Sequence, residues 1–255
     1  MAPTQARKIA RTTPGTADPA EVARFEEIAS AWWDADGAFK PLHRLNPARI
    51  RFIRDEAAAR LGRDPLKPAP LVGLKVLDVG CGGGLLTEPM TRLGADVTGI
   101  DAGEENVRAA RHHAQAVGLA IGYRTAAPED LAAENRTFDL VLNMEVVEHA
   151  VDRDAFLEVC CRLVKPGGWM ALSTLNRTMK SLALAKIGAE YVLRWLPIGT
   201  HDWRKFVRPS EMARGLARGG MEIRALKGIV YDPMDDEWRL ADDLAVNYLA
   251  FAVKP

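Results

Sequence analysis

The sequence predicts an α/β domain built on an open, mostly parallel sheet with helices on both faces. Three observations carry this. The short apolar run Lys75–Val79 stops at Gly80-Cys81-Gly82-Gly83-Gly84, and helical spacing resumes from Leu85 to Leu93 before closing at Gly94. Ala95–Asp101 then reads as a second strand that ends on an acid about twenty residues past the glycine turn. Further strand and helix units of the same length follow, and parallel neighbours need such crossovers.

At 255 residues the chain has room for one such domain with small additions. Lys+Arg and Asp+Glu both number 34, so no overall field recruits nucleic acid, and any anionic surface must be met locally. Cys81 and the adjacent Cys160 and Cys161 form neither a disulfide framework nor a metal knuckle, which fits a reducing cytoplasm. No apolar run near 18 residues is present to span a bilayer.

In order along the chain, residues 1–17 carry Arg7, Lys8 and Arg11 and no acid. We expect a disordered arm; the alternative is an organelle transit peptide, which would place the protein in the mitochondrial matrix. Asp18-Pro19-Ala20-Glu21 is a helix start, and Val22, Phe25, Ile28, Ala29 and Trp32 give that helix an apolar face. A second helix is predicted from Asn46-Pro47 to Gly62, so that 18–62 forms an N-terminal helical lid with Arg49 in a first turn where the dipole disfavours cations. An arginine so placed wants a partner. Three prolines between Arg63 and Val72 mark a linker to the core, 72–255.

Past the second strand, Glu104–Val117 is an amphipathic helix closed by Gly118, and Ile121–Arg124 a third strand. Phe138–Met144 is the fourth strand, Asp152–Val164 a helix, and Trp169–Ser173 the fifth strand after a Lys165-Pro166-Gly167-Gly168 turn. An insertion, 175–208, follows. Ser210–Arg218 is a short helix, and the strands Met221–Val230 and Val246–Val253 are joined without a helix, which favours an antiparallel edge.

The glycine turn presents bare backbone and free N–H groups to an anionic ligand. A dinucleotide fingerprint fails here, because the sixth position from Gly80 is Leu85, and the Lys-Ser/Thr pair of a triphosphate loop is missing too. The pattern Asp78-x-Gly80-x-Gly82-x-Gly84, with Asp101 placed to accept both ribose hydroxyls, resembles the class I S-adenosylmethionine-dependent methyltransferases. That resemblance implies a Rossmann-like fold with a mostly parallel seven-stranded sheet, an N-terminal helical lid and an inserted helix after strand five. It also places an adenine contact at the backbone of Glu129, with Asp130 accepting from the amino group unless the acidic pair caps a short helix. Met144, at the carboxyl end of strand four, would lie against the adenine or the sulfonium arm.

Glu145, Glu148 and His149 are the polar cluster beside that crevice. On one helical turn they stand at i, i+3 and i+4, facing one way. Three roles are open: chelation of a divalent ion such as magnesium, a direct general base in His149, or a helix-starting acidic turn with a solvated histidine. The base or metal would serve a phenol, which is mostly protonated at neutral pH.

Trp32-Trp33-Asp34 with Phe39-Lys40-Pro41-Leu42-His43-Arg44-Leu45-Asn46-Pro47 resembles the N-terminal signature of the ubiquinone biosynthesis O-methyltransferases. So do Asp78–Gly84 and Ser173-Thr174-Leu175-Asn176-Arg177 with Gly188-Ala189-Glu190-Tyr191 and Gly199-Thr200-His201-Asp202-Trp203. The match runs from about Phe25 to Tyr248. It implies methyl transfer to a polyprenylated benzene-1,2-diol and to demethylubiquinol, with Arg49, Gly80, Asp101 and Met144 on the cofactor. It also implies the acid-x-x-acid-His metal cluster of mitochondrial relatives at Glu145, Glu148 and His149. A long isoprenoid tail implies a membrane phospholipid surface, for which Met179–Pro197 is apolar with Lys180, Lys186 and Arg194 as anchors, so a cytoplasmic, peripheral inner-membrane location is expected. A quinone-biosynthesis complex is the expected protein partner and nucleic acid is not one. The alternatives are a soluble methyltransferase with a nitrogen or carbon acceptor and a non-catalytic cofactor-binding scaffold.

Overall fold

Segments of four to twelve residues form the strands β1 (Lys75–Val79), β2 (Asp96–Asp101), β3 (Gly122–Thr125), β4 (Phe138–Met144), β5 (Val164–Leu175), β6 (Glu222–Asp232), β7 (Glu237–Ala241) and β8 (Asn247–Val253), with β1, β4 and β8 the most apolar and buried. The structure is a computed structural model that describes residues 15–183, 202–232 and 234–255. One sheet holds all eight strands in the order β3-β2-β1-β4-β5-β8-β6-β7. The first five run parallel, whereas β8 pairs antiparallel with β5, β6 with β8, and β7 with β6. The order reverses between β1 and β4, and at such a switch point the crossovers leave a crevice over the strands' carboxyl ends.

The expected seven strands are therefore eight. β7 turns back on β6 through Asp235 and Asp236, the latter at φ +51°, and pairs Asp232 with Glu237. The link expected to hold no helix thus carries an added strand, and the edge is antiparallel as expected.

Alternation along the strands sorts the core into two layers. On β4, Val141 packs into one layer with Phe156, Leu157 and Cys160 of α6 (Arg153–Leu163) and Leu216 of α8 (Pro209–Arg218). Leu140 and Leu142 face the other way, joining Phe52, Ile53 and Ala57 of α2 (Lys40–Arg60) and Met90 of α3 (Thr87–Arg92). α4 (Glu104–Ala116) buries Val107, Ala110 and Ala114 against Tyr123, and α5 (Pro128–Ala133) adds Leu131 to the first layer.

The N-terminal region departs from expectation. α1 (Pro19–Glu27) is capped by Asp18, whose side chain accepts from Ala20 N–H, as read. α2, however, begins at Lys40 instead of Asn46, with Pro41 in its first turn and Pro47 inside it. Either proline can open a helix, and an internal one deletes a single hydrogen bond. With Ile53 and Ala57 fully buried, α2 packs as a layer of the core. The cover is α1 and the 3₁₀ turn Ala29–Ala31. Nor does the expected arm reach residue 17: Ala17 bridges to Ala150, and Thr16 gives both its N–H and its hydroxyl to Glu129, at 2.7 Å each. Residues 1–14 lie outside the described residues. So do 184–201, and with them most of the segment expected at a membrane; of its start, α7 (Met179–Ser181) leaves Met179 exposed and pairs Lys180 with Asp243 at 2.6 Å.

Candidate active site

A cavity of about 1090 Å³ opens over the carboxyl ends of β1, β2 and β4. Asp78, Gly80, Gly82, Asp101, Arg49, Met144, Glu145, Glu148 and His149 all line it, so residues 100 positions apart in the chain (Arg49 to His149) share one hollow.

Gly80, Gly82 and Gly84 all have positive φ (68°, 51° and 88°), which only glycine adopts freely. Their open faces are used. A Cβ at Gly80 would strike Val146, and one at Gly82 or Gly83 would overlap the indole of Trp32. The glycines thus admit the cover as well as a ligand. Trp32 stacks on Phe39 with ring centroids 3.6 Å apart and donates its N–H to Asn106 Oδ1 at 2.8 Å. Trp33 donates to the Gly83 carbonyl at 2.9 Å and stacks on His113.

Asp101 ties this arrangement together. Its Oδ2 accepts from Gly82 N–H at 3.0 Å, and its Oδ1 accepts from Gly103 N–H at 2.8 Å and Asn106 Nδ2 at 3.1 Å. Burial raises its pKa, and these donors hold part of the rise back. Asp78 accepts from Thr87 Oγ1 at 2.6 Å, yet burial, with the Asp101 charge adding to it, pushes its carboxyl up to about 7. Two carboxylates in one hollow suit a ligand with cationic groups and hydroxyls.

Arg49 is buried, and its Nη2 stands 3.0 Å from Glu145 Oε1. Its partner is therefore within the chain, and it sits in the middle of α2, so the dipole argument for one does not apply. Its Nε nonetheless makes no hydrogen bond among the described residues, a buried donor left for an anionic group. The Glu129 side chain is taken by Thr16, which leaves the expected backbone contact untouched, and Asp130 caps the first turn of α5, the alternative role for it, by accepting from Ala127 N–H at 2.9 Å. Ala126, Ala127 and Pro128 form the cavity wall there.

The expected single turn of Glu145, Glu148 and His149 is not made. Glu145 adopts φ +57°, which interrupts any helix, and only Val147–His149 coil, as a 3₁₀ turn. Each side chain then finds a different partner. Glu145 also accepts from Ser173 Oγ at 2.6 Å. Glu148 is buried and accepts from Thr174 Oγ1 at 2.9 Å, and burial pushes it up to about 7. His149 sits edge-on to Phe25 at 5.5 Å, with Nδ1 3.4 Å from Glu21 of α1. Burial alone would lower the His149 pKa; the contact with Glu21 and the Glu148 charge outweigh it and raise it. Among the described residues no three His, Cys, Asp or Glu side chains are grouped to hold a metal ion. With each side chain turned to its own partner, the triad in this arrangement does not fit magnesium.

Asn106, Trp32 and Thr87 were not singled out for the site by spacing or charge. Trp32 is expected only on the apolar face of the first helix and in the family signature, and Asn106 carries only the weak signal of lying one helical turn past a strand-end acid.

A family described as a methyltransferase domain matches residues 77–172, from β1 to β5. The ubiquinone biosynthesis O-methyltransferase of Paramagnetospirillum magneticum is 55% identical over 240 residues, covering 94% of this chain and 96% of the relative. That of Chelativorans sp. is 52% identical over 240 residues, with 94% and 95% covered. Among solved structures, magnesium protoporphyrin IX methyltransferase from Synechocystis PCC 6803 with bound SAH superposes with a TM-score of 0.61 at 22% identity, covering 93% of this chain and 95% of that one, a likeness of fold.

Proposed function

The chain belongs to the ubiquinone biosynthesis O-methyltransferases, and from that premise we propose that its cavity methylates a catechol-type hydroxyl of polyprenylated benzene-1,2-diol and demethylubiquinol acceptors. S-adenosylmethionine is the methyl donor, and when bound it supplies an electrophilic methyl on a sulfonium, which an oxygen nucleophile takes by in-line displacement. The observation that carries the reading is the single cavity that joins the glycine turn and Asp101 to Glu145, Glu148 and His149.

The roles follow from the side chains' surroundings. Asp101, already oriented by three N–H donors, has lone pairs left for ribose hydroxyls. Arg49 offers its free Nε to the amino-acid carboxylate, and Asp78 gains charge when a cation arrives beside it. Met144 gives an apolar, adaptable wall, and the backbone near Glu129 remains the proposed adenine contact. His149, steadied by Glu21 and Phe25, takes the acceptor's hydroxyl proton, while Glu145 holds Arg49 in place.

No helix among the described residues is long and apolar enough to cross a membrane. A polyprenylated acceptor supports peripheral attachment to the inner membrane through 179–197, whose first residue is exposed. Methylation of a short-chain catechol with labelled donor tests the reaction: label in the phenolic methyl ether supports it, and label on nitrogen or carbon acceptors only would replace it.

A further inference from the structure

The cavity extends beyond what a donor and a catechol ring require. Its wall continues past Met144 and Glu145 to the β6–β7 hairpin, where Ile229, Tyr231 and Trp238 line it together with Leu42 and Leu45 of α2. Leu45, Met144 and Trp238 are only partly covered although packed against the same core layer, so each leaves apolar surface toward this end. The Tyr231 and Trp238 rings lie 5.4 Å apart at 49°. At the outer rim Asp236 accepts from Tyr231 Oη at 2.6 Å and pairs with Arg44 of α2 at 2.6 Å, so the hairpin is clasped to α2 by polar groups outside an apolar passage.

We infer that this passage is a subsite for the acceptor's isoprenoid tail, holding its first isoprene units between the start of α2 and the β6–β7 hairpin. The inference rests on the O-methylation reading above. Three features favour the tail as occupant. The passage is continuous with the donor end, its lining is aliphatic and aromatic, and its ion pair is at the rim, where an uncharged chain would pass without desolvating it. Each buried methylene contributes about 0.8 kcal/mol, so even one isoprene unit would separate tailed from tailless acceptors by ten-fold or more.

The test compares kcat/KM for a farnesylated catechol and for the same catechol without a tail. The unmodified chain should prefer the farnesylated acceptor. Trp238→Gln and Leu45→Gln should each lower the farnesylated-to-tailless ratio about ten-fold, Trp238→Phe should keep it within about two-fold, and Arg49→Ala should leave it unchanged while lowering both rates. Should either glutamine variant fail to fold, Leu42→Gln carries the same expectation. No preference in the unmodified chain, or a ratio untouched by the glutamine variants, overturns the subsite. Failure of the unmodified chain to methylate either catechol overturns the activity reading instead.

Discussion

At the scale of single residues, the site is governed by where charge is buried. Asp78 is pushed up to about 7 because burial disfavours its anion, and a cationic donor would favour that anion. Binding should therefore release a proton near neutrality, and affinity should rise as pH climbs toward about 7 and then level off. Titration calorimetry in buffers of different ionisation enthalpy reads this directly, and buffer-independent heats would contradict it. His149 gives the same sign, in turnover. With its pKa raised by Glu21 and Glu148, it is protonated over more of the neutral range, and a base must be neutral, so turnover should increase with pH through that raised value. Glu21→Gln removes one of the raising groups and should move the acid limb of the kcat profile to lower pH, whereas a limb that stays put would remove His149 as the base. The same pair has a consequence for stability. The Glu21 carboxyl is held down to about 2 by His149 and Lys205, so its stabilising contribution is present above its ordinary value of 4.5 and fades as pH falls through about 2.

At the scale of elements, the cover and the glycine turn are wired together through Trp32, Asn106 and Asp101. Asn106→Ala removes both hydrogen bonds and should weaken donor binding about ten-fold, while Trp32→Phe, losing only the indole N–H, should cost less than half of that free energy. Equal donor affinity in Asn106→Ala would show that the link only packs the helix. Much of this scale was legible in the chain. β1 and β4 carry the expected bounds because their apolar runs end at sharp signals, and the Asp18 and Asp152 caps are where acids precede helical periodicity. The start of α2 was not legible, since Pro41 and Pro47 are equal as start signals and the residues between them have no clean period. β7 was hidden because its ends are acidic and its residues are half-exposed. Glu145 was hidden for a different reason: nothing marks a non-glycine residue that tertiary contacts hold at φ +57°.

At the scale of the whole molecule, the sheet's two faces are closed by different parts of the chain, and the N-terminal α2 completes one of them. Phe251 on β8 is fully buried, edge-on to Phe52 of α2 at 6.4 Å, near Trp169 at 6.1 Å and under the Arg60 guanidinium at 4.4 Å. Phe251→Ala should cost about 3–5 kcal/mol in urea unfolding, and a loss under about 1 kcal/mol would mean that α2 is not an integral layer. The class of fold and the succession of strands along the chain up to β5 were readable from spacing because parallel crossovers constrain them tightly. The role of α2 was not, because a helix that precedes a linker reads as an appendage until its buried face is seen. One feature reaches past structure into measurement. Trp32 packs on Gly82 and Gly83 and Trp33 donates to the Gly83 carbonyl, in the turn proposed above to hold the donor, so the chain carries a built-in optical gauge: filling the hollow should alter tryptophan emission, and occupancy can be followed without labels or turnover.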